Sequence, residues 1–464
     1  MSTYLDSGRD GPHRLIFPPM VEEVDTAIPA FVGYTDKAEK RIPGDLTLVP
    51  TKINSFKEYE LYFGKPHDAE LEIVVATDEN DRYLLTDCKV PAMFYLLYYA
   101  VKNYFDNEGT PCCILSVGTY QSTPTFTLFR EKESSNFGLL DGVNRLVEVD
   151  EIALLIIPEA VQLAENEFSM LVQCTLQQCH ILGNRFAIFD LYHGDKPGPD
   201  LERNRNLFGF RCLRYGSVYY PFLRTRMNYH INPAESNVMV NFGGELLPLG
   251  KLKKSNRLLA KFVRGELLKR FVTIPCAGTV AAVYVSTDKS RGVWKSPGNL
   301  GLKGISEPTV TIDNQMQDLL YKDPKEGKSI NSIRTFANRG ILVWGARTLA
   351  GNEAEWRYVS VVRFTFMVKE SLFKSTHWVV YEPNDSQTWS KVVEMIEGYL
   401  TVKWKEGALA GVSHYSAFYV KCGLGATMTE QDIMDGKIGI EVGLAILRPG
   451  EFIVLKFFHQ KPKD

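Results

Sequence analysis

Both ends of this chain read as strands that lack an obvious partner. Two strand-like runs close the sequence, at residues 438–446 and 452–458, with the turn letters LRPG between them. At the other end, residues 1–27 are rich in glycine and proline and read as an extended arm with a short apolar strand at residues 15–17. Folded monomers usually hide unpaired strand edges. The pattern therefore favours a chain whose ends add strands to neighbouring molecules.

Length and composition indicate an ordinary globular chain with more than one core. At 464 residues the sequence predicts two or three domains. A net charge of -2 gives no overall attraction to nucleic acid. We expect no membrane insertion and no signal peptide, because the sequence has no long apolar run and does not open on a basic segment followed by an apolar one. The eight scattered cysteines suit reduced thiols in a cytosolic protein.

The middle of the chain alternates strands and helices. Apolar runs predict strands at residues 27–34, 112–117, 153–157, 186–191 and 215–223, and helical spacing predicts helices at 53–64, 90–105 and 168–182. This order is typical of an α/β domain. Residues 228–272 interrupt it with a strand and a basic helix, and we interpret them as a surface insertion.

The last third carries a different mixture of elements. It predicts a short helix at 329–336, a strand at 341–344, an amphipathic helix at 388–404 and a strand at 417–421. We therefore expect a mixed α/β and α+β, multi-domain fold. Its predicted parts are an arm at 1–27, an α/β middle domain at 28–328 with the insertion at about 228–272, and a C-terminal domain at 329–464.

No residue pattern predicts catalysis or a cofactor. Cys174, Cys179 and His180 form a compact cluster, but their spacing is poor for zinc and a fourth ligand is missing, so buried cysteine is the favoured interpretation. The glycine-rich run at 298–304 lacks the Gly-Lys-Ser/Thr ending of a phosphate loop. Nucleophile-elbow and zinc-protease motifs are absent. We expect no catalytic, cofactor-binding or metal residues. An α/β enzyme with an unrecognised site remains an alternative of another class.

Several longer runs carry a family resemblance. They are GKSIN at 327–331, GILVWGARTLAGN at 340–352, EWRYV at 355–359 and RPGEF at 448–452, with TAIPAFVGYT at 26–35, YGSVYYP at 215–221 and RGVWKSP at 291–297. Together they extend over nearly the whole chain. The sequence resembles the tail sheath proteins of contractile phages and phage-tail-like injection systems. It is most similar to the antifeeding-prophage type of extracellular particle.

The resemblance implies a structural protein, not an enzyme. Sheath subunits of this family stack as six-membered rings into a helical tube around an inner tube, and the sheath shortens to drive that tube through a target envelope. The implied partners are other copies of the chain, the inner tube protein, baseplate and tail-terminator proteins, and sheath paralogues. The implied particle assembles in the bacterial cytoplasm and then acts outside the cell or as a virion-like tail.

The resemblance also implies which residues make contacts. Strand exchange with neighbouring subunits would involve Leu15, Ile16, Phe17, Phe452, Val454, Lys456 and Phe458. Contact with the inner tube would involve Lys403 and Lys405, although two cations at a helix end also complement the helix dipole without any partner.

The arm departs from the family pattern. Family members usually begin with Pro-Gly-Val-Tyr-Val-Glu-Glu, whereas this chain has SGRDGPHR at 7–14 and reaches a Val-Glu-Glu only at 21–23. The family's paired arginine is reduced to Val362-Arg363. A specialised ring beside the baseplate, or a collar that contracts little, is therefore an alternative to the main sheath.

Overall fold

The computed structural model describes residues 20–90, 95–120, 125 and 137–461. These residues fall into two compact units. The larger unit runs from Asp25 to Met367, and the smaller one joins the chain up to Val24 with the chain from Val368 onward. Residues 329–367, which the sequence assigned to a C-terminal domain, are packed in the larger unit.

The strands and helices of both units are numbered in chain order. The strands are β1 (Pro29–Thr35), β2 (Thr51–Ile53), β3 (Leu71–Thr77), β4 (Tyr83–Lys89), β5 (Cys112–Thr119), β6 (Leu154–Ile156), β7 (Phe186–Asp190), β8 (Gly216–Tyr220), β9 (Leu223–Asn228), β10 (Val238–Phe242), β11 (Glu245–Pro248), β12 (Phe271–Ile274), β13 (Leu300–Gly301), β14 (Ile305–Pro308), β15 (Ile330–Phe336), β16 (Gly340–Trp344), β17 (Phe418–Cys422), β18 (Lys437–Leu444) and β19 (Ile453–Gln460). The helices are α1 (Phe56–Phe63), α2 (Leu97–Asp106), α3 (Leu139–Arg145), α4 (Glu165–Leu182), α5 (Leu201–Leu207), α6 (Leu249–Ser255), α7 (Arg257–Leu267), α8 (Ala277–Arg291), α9 (Asn314–Tyr321), α10 (Val359–Ser375), α11 (Ser386–Lys405), α12 (His414–Ala417) and α13 (Glu430–Met434).

A mainly parallel sheet forms the core of the larger unit. Its strand order is β13-β16-β15-β8-β7-β6-β1-β5-β2, and the pairs from β5 through to β15 are parallel. Every residue of β1, β6 and β7 is buried. Such near-continuous apolar runs are expected of strands covered on both faces. The predicted α/β arrangement of this region is confirmed.

The predicted insertion builds a second sheet together with an earlier part of the chain. β10 pairs in parallel with β3, so the order is β11-β10-β3-β4. The inward side chains of β3 and β10 pack against α6 and α7 in a separate apolar core. The apolar residues of α7 recur at helical spacing on its buried face, and its lysines and arginines lie mostly on the exposed face.

The smaller unit has an antiparallel sheet of order β17-β18-β19. Side chains alternate strictly along β19 between buried and exposed positions, as expected of a strand with one face on a core. The helix α11 contacts β17 and begins at the N-cap Asp385, whose carboxylate accepts a hydrogen bond from the Thr388 amide. The predicted mixed fold class is thereby confirmed.

One element was predicted wrongly. Residues 330–336 form the strand β15, not a helix. Ile330, Ile333 and Phe336 recur at helical spacing, which misled the prediction. Pairing of β15 with β8 and β16, and side-chain hydrogen bonds of Asn331 to the Val218 and Arg347 carbonyls, override that local pattern.

Candidate assembly surface

The last strand of the described chain lies at a sheet edge. β19 pairs along its whole length with β18, from Ile453 opposite Leu444 to Gln460 opposite Lys437. Among the residues that the structure describes, no strand pairs with the other edge of β19. That edge therefore presents backbone donors and acceptors to which another strand could add.

The predicted exchange residues at this end lie together on or beside β19. Val454 and Phe458 are 45% and 53% exposed and share the outer face of the strand. Lys456 lies between them and forms an ion pair of 2.8 Å with Glu441 on β18. Phe452 precedes the strand and packs edge-on against Tyr419, with ring centroids 5.1 Å apart. The structure thus brings all four residues to one surface, and their role in exchange stays a prediction.

Glu441 accepts hydrogen bonds from several side chains on the same face of the sheet. Its carboxylate accepts hydrogen bonds from the Tyr419 hydroxyl at 3.0 Å and from Lys421 at 3.4 Å, in addition to Lys456. The hydrogen bond from Lys456, more than the cost of burial, holds the pKa of Glu441 below its usual value. The acid therefore stays ionised near neutral pH and fixes the side chains around it.

An apolar cavity of about 390 Å³ opens beside Phe458. Its wall includes Leu424, Met428 and Ile440 as well as Phe458 and Lys456. Leu424 is 49% exposed, so apolar surface continues from the cavity mouth onto the sheet. Exposed apolar surface of this kind is common where proteins contact each other.

The predicted exchange residues of the arm, Leu15, Ile16 and Phe17, lie outside the described residues. The described chain begins at Met20, which is 87% exposed. Residues 22 and 24 then contact α10, where their backbone amides donate hydrogen bonds to the hydroxyls of Ser375 and Ser371.

The two predicted inner-tube residues lie in different environments. The Lys403 side chain is only 8% exposed and its ammonium pairs with Glu23 and, at 2.8 Å, with Glu406. Lys405 is exposed. Lys403 is thus engaged within its own unit, whereas Lys405 is open to solvent, and the contact of the two lysines with an inner tube stays a prediction.

The cysteine and glycine motifs have structural roles. Cys179 is buried on α4, and burial raises the pKa of its thiol to about 12. His180 contacts the Tyr215 hydroxyl at 3.1 Å. In the described part of the chain, His, Cys, Asp and Glu side chains nowhere gather in the groups of three that could hold a metal ion. The glycine-rich run at 298–304 contributes the edge strand β13 to the central sheet.

Two buried acids were not singled out from the sequence. Glu159 accepts hydrogen bonds from the Leu96 and Leu97 amides at 3.0 and 2.8 Å, at the start of α2. Asp190, at the end of β7, accepts one from the Ala277 amide at 2.8 Å, at the start of α8. Both cap helix N-termini whose amides lack intrahelical partners. Burial raises the pKa of each carboxyl to about 7.

Sequence comparison connects the chain with tail sheaths. Residues 352–458 match the family described as phage tail sheath C-terminal domain. The tail sheath protein of Vibrio phage KVP40 is 26% identical over 131 residues, which are 28% of this chain and 19% of that protein. The match thus spans about a fifth of the length of that relative.

Solved structures match over almost the whole length. A chain of the anti-feeding prophage baseplate is 26% identical with a TM-score of 0.61, and the match covers 98% of both chains. A chain of the PVC sheath complex, from an extracellular contractile injection system in its contracted state, gives the same identity, TM-score and coverage.

The matched proteins are tail sheath proteins of phages and sheath or baseplate chains of contractile tail-like particles. Among these proteins, the chain resembles the sheath proteins of contractile injection systems of the antifeeding-prophage type, and the resemblance predicted from the sequence is confirmed. The sheath proteins that the chain resembles are structural proteins. Among the described residues, none of the helices combines the length and apolar character needed to cross a bilayer.

Proposed function

We propose that this protein is a sheath subunit of a contractile injection particle. Copies of the chain assemble as stacked six-membered rings around an inner tube, on a baseplate, and contract to drive the tube through a target envelope. The observation that carries the proposal is the match over 98% of both chains to sheath and baseplate chains of such particles. We further propose that assembly takes place in the bacterial cytoplasm before the particle acts outside the cell.

Strand addition supplies the join between subunits in this proposal. The open edge of β19 offers backbone groups, and its exposed apolar side chains Val454 and Phe458 offer contact area. The arm residues 15–17 supply an apolar strand from a neighbouring copy. Contacts that join different surfaces of identical subunits do not close on themselves and therefore build helical filaments. Contraction is then a change between two packings of the same subunits, which spreads because each ring biases the next.

A baseplate-proximal ring is the second candidate function. It is favoured by the match to a chain of the anti-feeding prophage baseplate and by the altered arm sequence at residues 7–14. A ring next to the baseplate meets different neighbours on its two sides, so a different arm would be suited to that place.

Electron microscopy of purified protein tests the proposal. We expect the full chain to form tubes of regular width. Deletion of residues 1–20 should leave a folded subunit, judged by circular dichroism, that forms no long tubes. Replacement of Leu15, Ile16 and Phe17 by serine should have the same effect, because the strand would lose its apolar contacts. Replacement of Arg9, Asp10 and His13 by serine is the matched control in the same arm and should leave the tubes intact.

Each other outcome points to a different conclusion. Tubes unchanged by the deletion would show that the arm is not the join. Rings that never stack would favour the baseplate-proximal or collar function. A stable monomer that turns over a substrate would overturn the assembly proposal altogether.

A further inference from the structure

The root of the arm, residues 22–24, contacts a pair of serines on α10. The Glu22 amide donates to the Ser375 hydroxyl at 2.9 Å, and the same hydroxyl lies 3.4 Å from the Glu22 carbonyl. The Val24 amide donates to the Ser371 hydroxyl at 3.0 Å. All of these groups belong to the smaller unit.

The spacing of these contacts follows from backbone geometry. Alternate residues of an extended chain are about 6.6 Å apart and point their amides to the same side. Side chains four residues apart on a helix are about 6 Å apart along the axis and share a face. An extended segment can therefore place two alternate amides on Ser371 and Ser375, and it runs antiparallel to α10 as it does so.

A second helix holds the residue between the two amides. The Glu23 carboxylate forms an ion pair with Lys403 of α11, which also pairs with Glu406. Burial alone would lower the pKa of Lys403, but the hydrogen bonds that its ammonium donates to the two carboxylates outweigh burial and raise that pKa above its usual value. Tyr399 lies one turn before Lys403 and is half-buried beside Glu23. Desolvation of its hydroxyl first, and the nearby Glu23 carboxylate second, raise the pKa of this hydroxyl. Lys403 thus stays charged while it is buried.

We propose that Ser371, Ser375 and Lys403 form an arm-root clamp that fixes the direction in which the arm leaves the smaller unit. Lys403 is a positioning residue for assembly, because it acts through the ion pair that holds Glu23. This inference rests on the proposed function, since the clamp matters only if the arm joins a second copy of this chain.

A fixed root makes strand addition more favourable. Ordering the backbone of a residue costs conformational entropy. Residues 22–24 are already held in the isolated subunit, so a neighbouring copy need not order them on contact. Fixing part of a ligand in its bound position before it binds raises affinity in this way. A fixed root also limits the positions that the rest of the arm can reach.

The first test measures the clamp in the isolated subunit, without assembly. Hydrogen exchange at the amides of residues 22 and 24 is followed by mass spectrometry. Replacement of both serines by alanine should speed exchange at these amides by roughly tenfold or more, because each amide loses the hydroxyl that accepts its hydrogen bond. K403M should have a similar effect, because it removes the ion pair that holds Glu23 between the two amides. K391M and S390A are matched controls, since both residues are exposed on α11 and neither contacts the arm root.

The second measurement is tube formation by the same variants. We expect K403M and the double serine variant to form fewer or shorter tubes than the unaltered chain. Hydrogen exchange at the β18 amides should stay as slow as in the unaltered chain, which would show that the smaller unit is still folded. Unchanged exchange at residues 22 and 24 in K403M would overturn the clamp, whatever the tubes do. Faster exchange with normal tubes would show that the clamp does not position the arm. The unaltered chain could also form no tubes while the amides of residues 22 and 24 exchange slowly. That result would overturn the proposed function, but it would still show that Ser371, Ser375 and Lys403 hold the arm root.

Discussion

Replacing Glu159 by glutamine should remove a specific part of the pH dependence of stability. Glu159 is fully buried, and its carboxylate accepts the two amides that open α2. It also packs so closely against Gly33 that a Cβ there would approach its Oε2 to 2.3 Å. Glutamine keeps the shape and an oxygen acceptor for the amides. It cannot ionise, and any cost of its amide group is the same at every pH.

The sign and size follow from the pKa of the acid. Burial raises the pKa of Glu159 from 4.5 to about 7, so the folded chain binds its proton more tightly than the unfolded chain does. Its contribution to the free energy of unfolding is largest below about pH 4.5. This contribution falls as the pH rises through about 7 and does not change further at higher pH. The whole loss is about 3.4 kcal/mol, of which about 2 kcal/mol falls between about pH 5.5 and pH 8.5. Asp190 acts in the same direction and is unchanged in the variant.

Labelling of Cys112 and Cys113, read by mass spectrometry of the peptide that contains both, reports the unfolding of the larger unit alone. Cys112 and Cys113 are buried in β5 of that unit, so a brief pulse of maleimide labels them only after it unfolds. Urea midpoints are compared at the two pH values for the unaltered chain, for E159Q and for E353Q, an exposed control in the same unit. The unaltered chain and E353Q should lose about 2 kcal/mol more than E159Q on going to the higher pH. An equal loss in all three would refute the assignment of a raised pKa to this carboxyl.

Two further predictions concern charged side chains elsewhere. R363M should destabilise the larger unit by about 3–5 kcal/mol in the same labelling assay, because it leaves the Asp288 carboxylate buried without its partner. The double variant with Asp288 also changed to asparagine should recover part of this loss. K405E should weaken assembly of the sheath on its inner tube, and added salt should reduce the difference from the unaltered chain. No difference at low salt would remove Lys405 from the tube contact.

The central sheet could be predicted because its strands carry their own signal. β6 and β7 are short apolar runs, and burial of both faces is what such runs favour. α1 was predicted as a helix at residues 53–64, and the structure places the N-cap Ser55 at its start, where the Ser55 hydroxyl accepts a hydrogen bond from the Glu58 amide. In both cases the sequence signal on which the prediction rests lies within a few neighbouring residues.

Elements that depend on distant partners could not be predicted in the same way. β3 and β4 went unnoticed, and β3 pairs with β10, more than 160 residues later in the chain. The strand β15 was missed because its stabilising neighbours, β8 and β16, include one far upstream. Among the candidate assembly residues, the strand itself could be predicted at residues 452–458 from its apolar run, and the structure has it as β19 at Ile453–Gln460. The contacts of residues 22–24 with α10 could not, since they join residues about 350 apart.

For the lysines of α11, the sequence held a signal that the prediction did not use. Thr388, Val392, Ile396, Leu400 and Lys403 are all buried on α11 and recur at intervals of three or four residues. Lys403 continues this stripe, so helical periodicity places it on the inner face. Lys405 is two residues further on, about 200° around the helix, and faces solvent. One partner surface therefore cannot contact both ammonium groups from outside. Variants that reverse the two charges together would combine two effects, a loosened arm root and a changed outer surface. Single changes at each position separate the clamp from any tube contact.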